Sequence, residues 1–123
     1  MRIRPEKVAQ LMRREVAEIL QRNLRDPRVS AMVSITDVEL TQDLSFAKIY
    51  VSIMGKPDEV AVSLRALAHA VGFVRHELGP RLGLREVPEI RFIHDESLAR
   101  GARVEELLKR IQDGSPVEDE ELE

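Results

Sequence analysis

The segment "ALAHAVGFVRHELG", residues 66–79, decides whether the chain contains one long helix or two shorter ones. Apolar residues recur here at spacings of three and four, as on one buried helical face: Leu64, Leu67, Val71, Val74 and Leu78. Gly72 interrupts this face at a cost of about 1 kcal/mol relative to alanine, and Phe73 points about 140° away from its centre. Two interpretations fit: a kink at Gly72 that turns Phe73 inward and exposes backbone N–H groups, or a glycine tolerated for close helix packing.

The sequence on either side predicts an alternation of strands and helices. Residues 46–54, "FAKIYVSIM", alternate between apolar and polar side chains, as expected for a strand with one wet face formed by Lys48, Tyr50 and Ser52. A short polar connection joins it to a second strand at 32–40, so the two form an antiparallel hairpin. The other predicted elements are helices at 5–24, 57–81 and 97–111 and a third strand at 88–95. Three strands with helices covering one face give an α+β fold.

The composition is that of a single domain. The chain has 123 residues, of which 43% are hydrophobic and 33% charged, enough for one core. It contains no cysteine, which excludes disulfides, zinc–thiolate sites and thiol catalysis. No apolar run approaches the roughly 20 residues of a membrane span, and the N-terminus lacks the apolar centre of a signal peptide. We therefore expect a cytoplasmic protein without a membrane partner.

Charge is distributed unevenly along the chain. The net charge is −3, but residues 113–123, "DGSPVEDEELE", contain six acids and no base. Without them, 16 acids remain against 19 bases, and residues 1–28 alone hold eight bases against four acids. We predict one domain over residues 1–112, followed by an acidic, disordered tail. A basic body indicates a polyanionic partner, although ordinary solvation of surface charges is an equally good interpretation of composition alone.

Few residues are suited to catalysis. His69 and His76 lie two helical turns apart without an evident third metal ligand. His94 could be oriented by Asp95, but no nucleophile accompanies the pair. The sequence contains no P-loop, no GxGxxG and no GxSxG motif. We therefore predict that the protein is not an enzyme and requires no cofactor, metal or small-molecule substrate.

Basic residues are better candidates for a binding site. Three phenylalanines, one tyrosine and no tryptophan are too few for a sheet that stacks bases, which leaves contacts to the phosphate backbone. The predicted RNA-contacting cations lie in the N-terminus, the first helix, the turn after it and the long helix: Arg2, Arg4, Lys7, Arg14, Arg25, Arg28, Arg75 and Arg81. Gly72 would add a close backbone approach at the kink.

Five stretches of the chain occur in the order and spacing of one protein family. They are "RDPRV" (25–29), "DLSFAKIYVSI" (43–53), "AVGFVR" (70–75), "LREVPEIRFIHDES" (84–97) and "GARVEELLKRI" (101–111). On these stretches the chain resembles the ribosome-binding factor A family over essentially all of residues 1–112. The acidic tail has no counterpart in the family pattern.

The resemblance implies a type II KH-like fold in the order α-β-β-α-α-β, with an AxG motif at a helix kink where KH domains carry GxxG. Ala70, Val71 and Gly72 match AxG, which favours the kink over close packing and adds Ala70 to the predicted RNA-binding site. At Gly83 the family commonly has a long basic residue, so this turn is expected to make one RNA contact fewer.

The family's known role implies a non-catalytic assembly factor. Its members bind the 16S rRNA of the immature 30S subunit, assist late processing and folding of that RNA, matter most in the cold, and act beside assembly GTPases. The alternative is a protein-interaction module whose basic face docks on an acidic protein partner. That module would tolerate charge reversal at Lys7 and Arg14 and would bind after nuclease treatment. One apolar face per element predicts a monomer.

Overall fold

The computed structural model describes residues 4–29, 33–97 and 107–112. Helix α1 spans Pro5–Glu18 and continues into a π-helical turn over Ile19–Asn23, and a 3-10 turn covers Pro27–Val29. Strands β1 (Val33–Leu40) and β2 (Phe46–Ile53) precede helix α2 (Pro57–Leu82) and strand β3 (Glu89–His94). Residues 107–112 are helical, as predicted for the end of the final helix. Arg2, the first part of that helix and the tail at 113–123 lie outside the described residues.

The three strands form one mixed sheet in the order β1-β2-β3. The predicted hairpin is confirmed, since β1 and β2 pair antiparallel, whereas β3 pairs parallel to β2. The parallel pair requires a long crossover, and α2 supplies it. The pairing register shifts between Ile35 and Asp37, so Thr36 lies in a β-bulge. The bulge keeps Ile35 and Val38 on the helix side although they are three positions apart.

Both helices pack on the same face of the sheet, which confirms the α+β class. Buried side chains of α1, β2 and α2 share one core: Val8, Met12, Val16, Ala47, Ile49, Val51, Leu67, Val74 and Leu78. The predicted helical and strand faces are therefore confirmed. Ser52 is an exception, because it is only 7% exposed despite its position on the predicted wet face.

Helix α2 is continuous over 26 residues, so the pair of helices predicted around Gly72 is a single element in this chain. No new helix begins at Gly72, and Phe73 stays 38% exposed instead of turning inward. The close-packing alternative fails as well, because a Cβ at Gly72 would meet nothing within 4 Å. Burial of a leucine or valine contributes about 1.5–3 kcal/mol, and Leu67 and Val74 lie fully buried on either side of Gly72. That burial outweighs the helix penalty of one glycine.

The helix ends two residues beyond Pro80, at Leu82, and Gly83 caps it. Gly83 has φ 63° and ψ 21°, the left-handed conformation that commonly follows a helix and that glycine adopts at little cost. A long basic residue at this position would be strained in the same conformation. The left-handed backbone at position 83 therefore explains why this chain has glycine where the family commonly has a long basic residue.

Candidate nucleic-acid interface

The exposed surface of α1 and its N-cap residue carries a basic stripe, which we define as Arg4, Lys7 and Arg14. Because Val8, Met12 and Val16 point into the core, residues 7 and 14, two turns apart, project outward. Within the described residues, the side chains of Arg4 and Lys7 have no hydrogen-bond or ion-pair partner. Arg14 lies 3.8 Å from Glu15 with 75% of its side chain exposed, so that pair is weak. The stripe is therefore available to phosphate groups.

The "RDPR" turn contains two exposed arginines, of which one is paired with a neighbouring carboxylate. Arg28 donates from Nε and Nη2 to the two carboxylate oxygens of Asp26, at 3.0 and 2.7 Å. This bidentate pair lowers the pKa of the Asp26 carboxyl and raises the pKa of Arg28. The Arg28 carbonyl also accepts a 2.7 Å hydrogen bond from the Ser63 hydroxyl, which holds the turn against α2. Arg25 is exposed and makes no such contact with the described residues.

Arg75 joins α2 to the start of β3. Its Nε donates to the Pro88 carbonyl and its Nη2 to the Val87 carbonyl, both at 3.0 Å. Nη1 lies 3.7 Å from the Glu89 carboxylate. Two of the five N–H donors of this guanidinium therefore bond to backbone carbonyls, which anchors Arg75 to the segment before β3.

Arg81 similarly joins the end of α2 to α1. Its Nη1 lies 2.9 Å from the Glu15 carboxylate and 3.6 Å from that of Glu18. Nη2 donates to the Asn23 side-chain oxygen at 3.2 Å, on the π-helical turn. Since only 24% of its side chain is exposed, Arg81 holds two helices together and presents little surface to a ligand.

The two residues of the AxG motif lie on different sides of α2. Ala70 is 7% exposed and belongs to the core. Gly72 is exposed, with open space where a Cβ would stand. A ligand could therefore approach the backbone at Gly72, whereas Ala70 contributes to packing.

An exposed ridge of α2 was not among the predicted site residues. Arg65, His69 and His76 are exposed at helical spacing on the side that carries Gly72 and Phe73. A helical wheel would have revealed this ridge, because residues 65, 69, 72 and 76 follow the three-or-four spacing of one helix face. The two-turn spacing of His69 and His76 was considered only for a metal site, and Arg65 was not connected with it.

The predicted pairing of His94 with Asp95 is not formed in the structure. The Asp95 carboxylate does not orient His94, because it accepts hydrogen bonds from Thr36 Oγ1 (2.8 Å) and the Ser97 N–H (2.9 Å). The Ser97 hydrogen bonds are the main reason that the pKa of Asp95 is lowered. Among the described residues there is no group of three His, Cys, Asp or Glu side chains that could hold a metal ion. No helix in that part of the chain is long and apolar enough to cross a membrane.

Comparison with known proteins identifies a matching family model and similar relatives. A family model described as ribosome-binding factor A matches residues 4–108. A ribosome-binding factor A from Gloeobacter violaceus is 50% identical over 111 residues, which is 89% of this chain and 86% of the relative.

Two structures of Thermus thermophilus ribosome-binding factor A are similar in fold. The crystal structure has a TM-score of 0.64 at 26% identity and covers 73% of this chain and 93% of its own. A homology model fitted into a cryo-EM map of a 30S complex has a TM-score of 0.61 at 28% identity, covering 76% and 97%.

Proposed function

Since the chain belongs to the ribosome-binding factor A family, we propose that it binds the immature small ribosomal subunit through the basic stripe of α1. The protein acts without catalysis, by docking on folded 16S rRNA late in subunit maturation. Docking of the Thermus thermophilus relative in a 30S complex supports this choice of partner. The proposal includes a cytoplasmic monomer that works beside assembly GTPases and matters most in the cold.

The proposal is supported by which basic side chains already have a hydrogen-bond or ion-pair partner within the protein. Lys7 and Arg4 have no partner within the described residues, whereas Arg28, Arg75 and Arg81 each bond to the protein itself. Phosphate binding by Lys7 breaks no intramolecular bond. Binding of RNA by Arg4 and Lys7 therefore costs the fold no intramolecular bond within the described residues.

Contacts of this kind position a protein on RNA but do not read its sequence. Specificity comes from the shape of the rRNA that fits the stripe and the exposed backbone at Gly72. Preferential binding to one rRNA conformer shifts the population toward that conformer, to an extent limited by the difference in affinity. Such a shift matters most when alternative RNA structures interconvert slowly, as they do in the cold.

Sedimentation with purified small and large subunits across a salt series tests the proposal. The double variant Lys7→Glu/Arg14→Glu reverses the stripe, and Arg13→Glu/Arg91→Glu changes the net charge equally at exposed positions outside it. We expect the wild type and the control to sediment with the small subunit, with affinity that falls steeply with salt. The stripe variant is expected to lose this binding.

Two outcomes would contradict the proposal. An equal loss in both variants would show that binding depends on overall charge and not on the stripe. Binding that persists in both variants and after nuclease treatment would instead identify a protein-interaction module.

A further inference from the structure

A groove of about 1140 Å³ lies between the first half of α1 and the far end of β1. Its floor is apolar, because Val38 and Leu40 lie on the helix side of β1. Its rim carries two cations and two amides, from Arg4, Lys7, Gln10 and Gln42. Neither amide has a hydrogen-bond partner within the described part of the chain.

The turn that presents Gln42 is held in place by hydrogen bonds. The Asp43 carboxylate accepts bonds from the Thr41 hydroxyl at 2.8 Å, the Ser45 hydroxyl at 2.7 Å and the Ser45 N–H at 3.1 Å. Leu44 adopts the left-handed conformation, with φ 62°. Since the turn is ordered by its own contacts, Gln42 faces the groove from a fixed backbone.

The size and lining of the groove narrow the class of ligand. Pockets for single small molecules measure about 300–1,000 Å³, so this groove has room for a short chain segment. Its rim has a net charge of +1, since Glu6 opposes Arg4 and Lys7, which favours an anionic chain. None of the described residues that line it is aromatic, so bases would be held by amides and apolar contact and not by stacking.

We propose that this groove binds an unpaired stretch of RNA at the edge of the docking surface. The inference rests on the proposed function and adds a second mode of contact to the basic stripe. Arg4 and Lys7 hold the phosphates, while a base rests on the partly exposed Leu40. Gln10 or Gln42 pairs with its edge, since a side-chain amide offers both a donor and an acceptor.

Unpaired RNA fits this chemistry better than a duplex. In an A-form helix the base edges are already paired, and the deep, narrow major groove does not admit side chains. A splayed base, by contrast, presents its whole Watson–Crick edge to an amide. The groove therefore selects RNA in which a strand is still open, a property of rRNA before its final folding.

Fluorescence anisotropy with a labelled single-stranded RNA decamer, and with a duplex of the same length, tests the proposal on the full chain. The variant Gln10→Ala/Gln42→Ala removes both amides. Gln21→Ala is the matched control, because Gln21 is exposed outside the groove. We expect the wild type to prefer the single strand. The double variant should bind the single strand about tenfold more weakly, because it loses one pair of hydrogen bonds to a base edge. The control should match the wild type.

Two results would overturn the groove assignment while leaving the proposed function intact. One is equal affinity of the double variant and the Gln21→Ala control for the single strand. The other is a wild type that prefers duplex, or that binds neither RNA, yet still sediments with the small subunit. Circular dichroism of each variant checks that the fold is retained.

Discussion

Replacement of Gly72 by alanine should stabilise the protein. Residue 72 is exposed, lies within a continuous helix, and has nothing within 4 Å of the added Cβ. Alanine is favoured over glycine inside a helix by about 1 kcal/mol, and no steric clash offsets that gain. With an unfolding entropy of about 2.1 cal/mol/K per residue, this free energy raises the Tm by about 4 °C.

Urea and thermal unfolding followed by circular dichroism would measure the change. Gly83→Ala is the contrasting control, because Gly83 has φ 63°, where a side chain is strained and should destabilise by about 1 kcal/mol. A lower midpoint for Gly72→Ala would refute the reasoning, since it would mean that residue 72 departs from regular helix geometry or contacts a neighbour.

The same variant separates stability from function. If RNA approaches the backbone at Gly72, the new methyl group obstructs that approach, so affinity for the small subunit should fall although the fold becomes more stable. A more stable variant with unchanged affinity would remove Gly72 from the proposed site and leave the basic stripe as the contact.

Two further predictions concern stability. Arg81→Met should lower the free energy of unfolding by about 2 kcal/mol in urea, because it leaves the half-buried Glu15 without its 2.9 Å partner; an unchanged midpoint would mean that solvent already screens the pair. Acid should also destabilise the fold, since hydrogen bonds lower the pKa of three carboxyls, Asp26, Asp43 and Asp95. The stabilisation from these ionised carboxylates is fully present above the unfolded-state pKa of about 4 and is lost as the pH falls through the lower folded-state pKa values. A urea midpoint that stays constant from about pH 5 to 2.5 would contradict this prediction.

Local patterns in the sequence were sufficient to predict most of the fold. The apolar faces of α1 and α2 and the alternation in β2 reflect which side chains avoid water, and each was confirmed by burial. The strand order and the parallel pairing of β3 were not predicted, because they depend on contacts between distant residues. The bulge at Thr36 was missed for the same reason.

Gly72 shows why local patterns can mislead. A glycine within an apolar stripe predicted a kink, yet the buried residues on both sides keep α2 continuous. Helix propensity contributes about 1 kcal/mol at such a position, whereas burial contributes more at each large side chain. The outcome therefore depended on the sum of the tertiary contacts, which the segment alone does not reveal.

The sequence by itself determined the set of cations that could meet a polyanion, together with the family to which the chain belongs. Only the tertiary structure decided which of those cations are free. Arg75 donates hydrogen bonds to the carbonyls of Val87 and Pro88, and Arg81 donates to the Glu15 carboxylate. No pattern in the sequence indicates that these residues lie close together. The physical reason is that a guanidinium donates to whichever acceptor the fold brings within about 3 Å, so among the described residues some arginines are held by the protein and others stay without a partner.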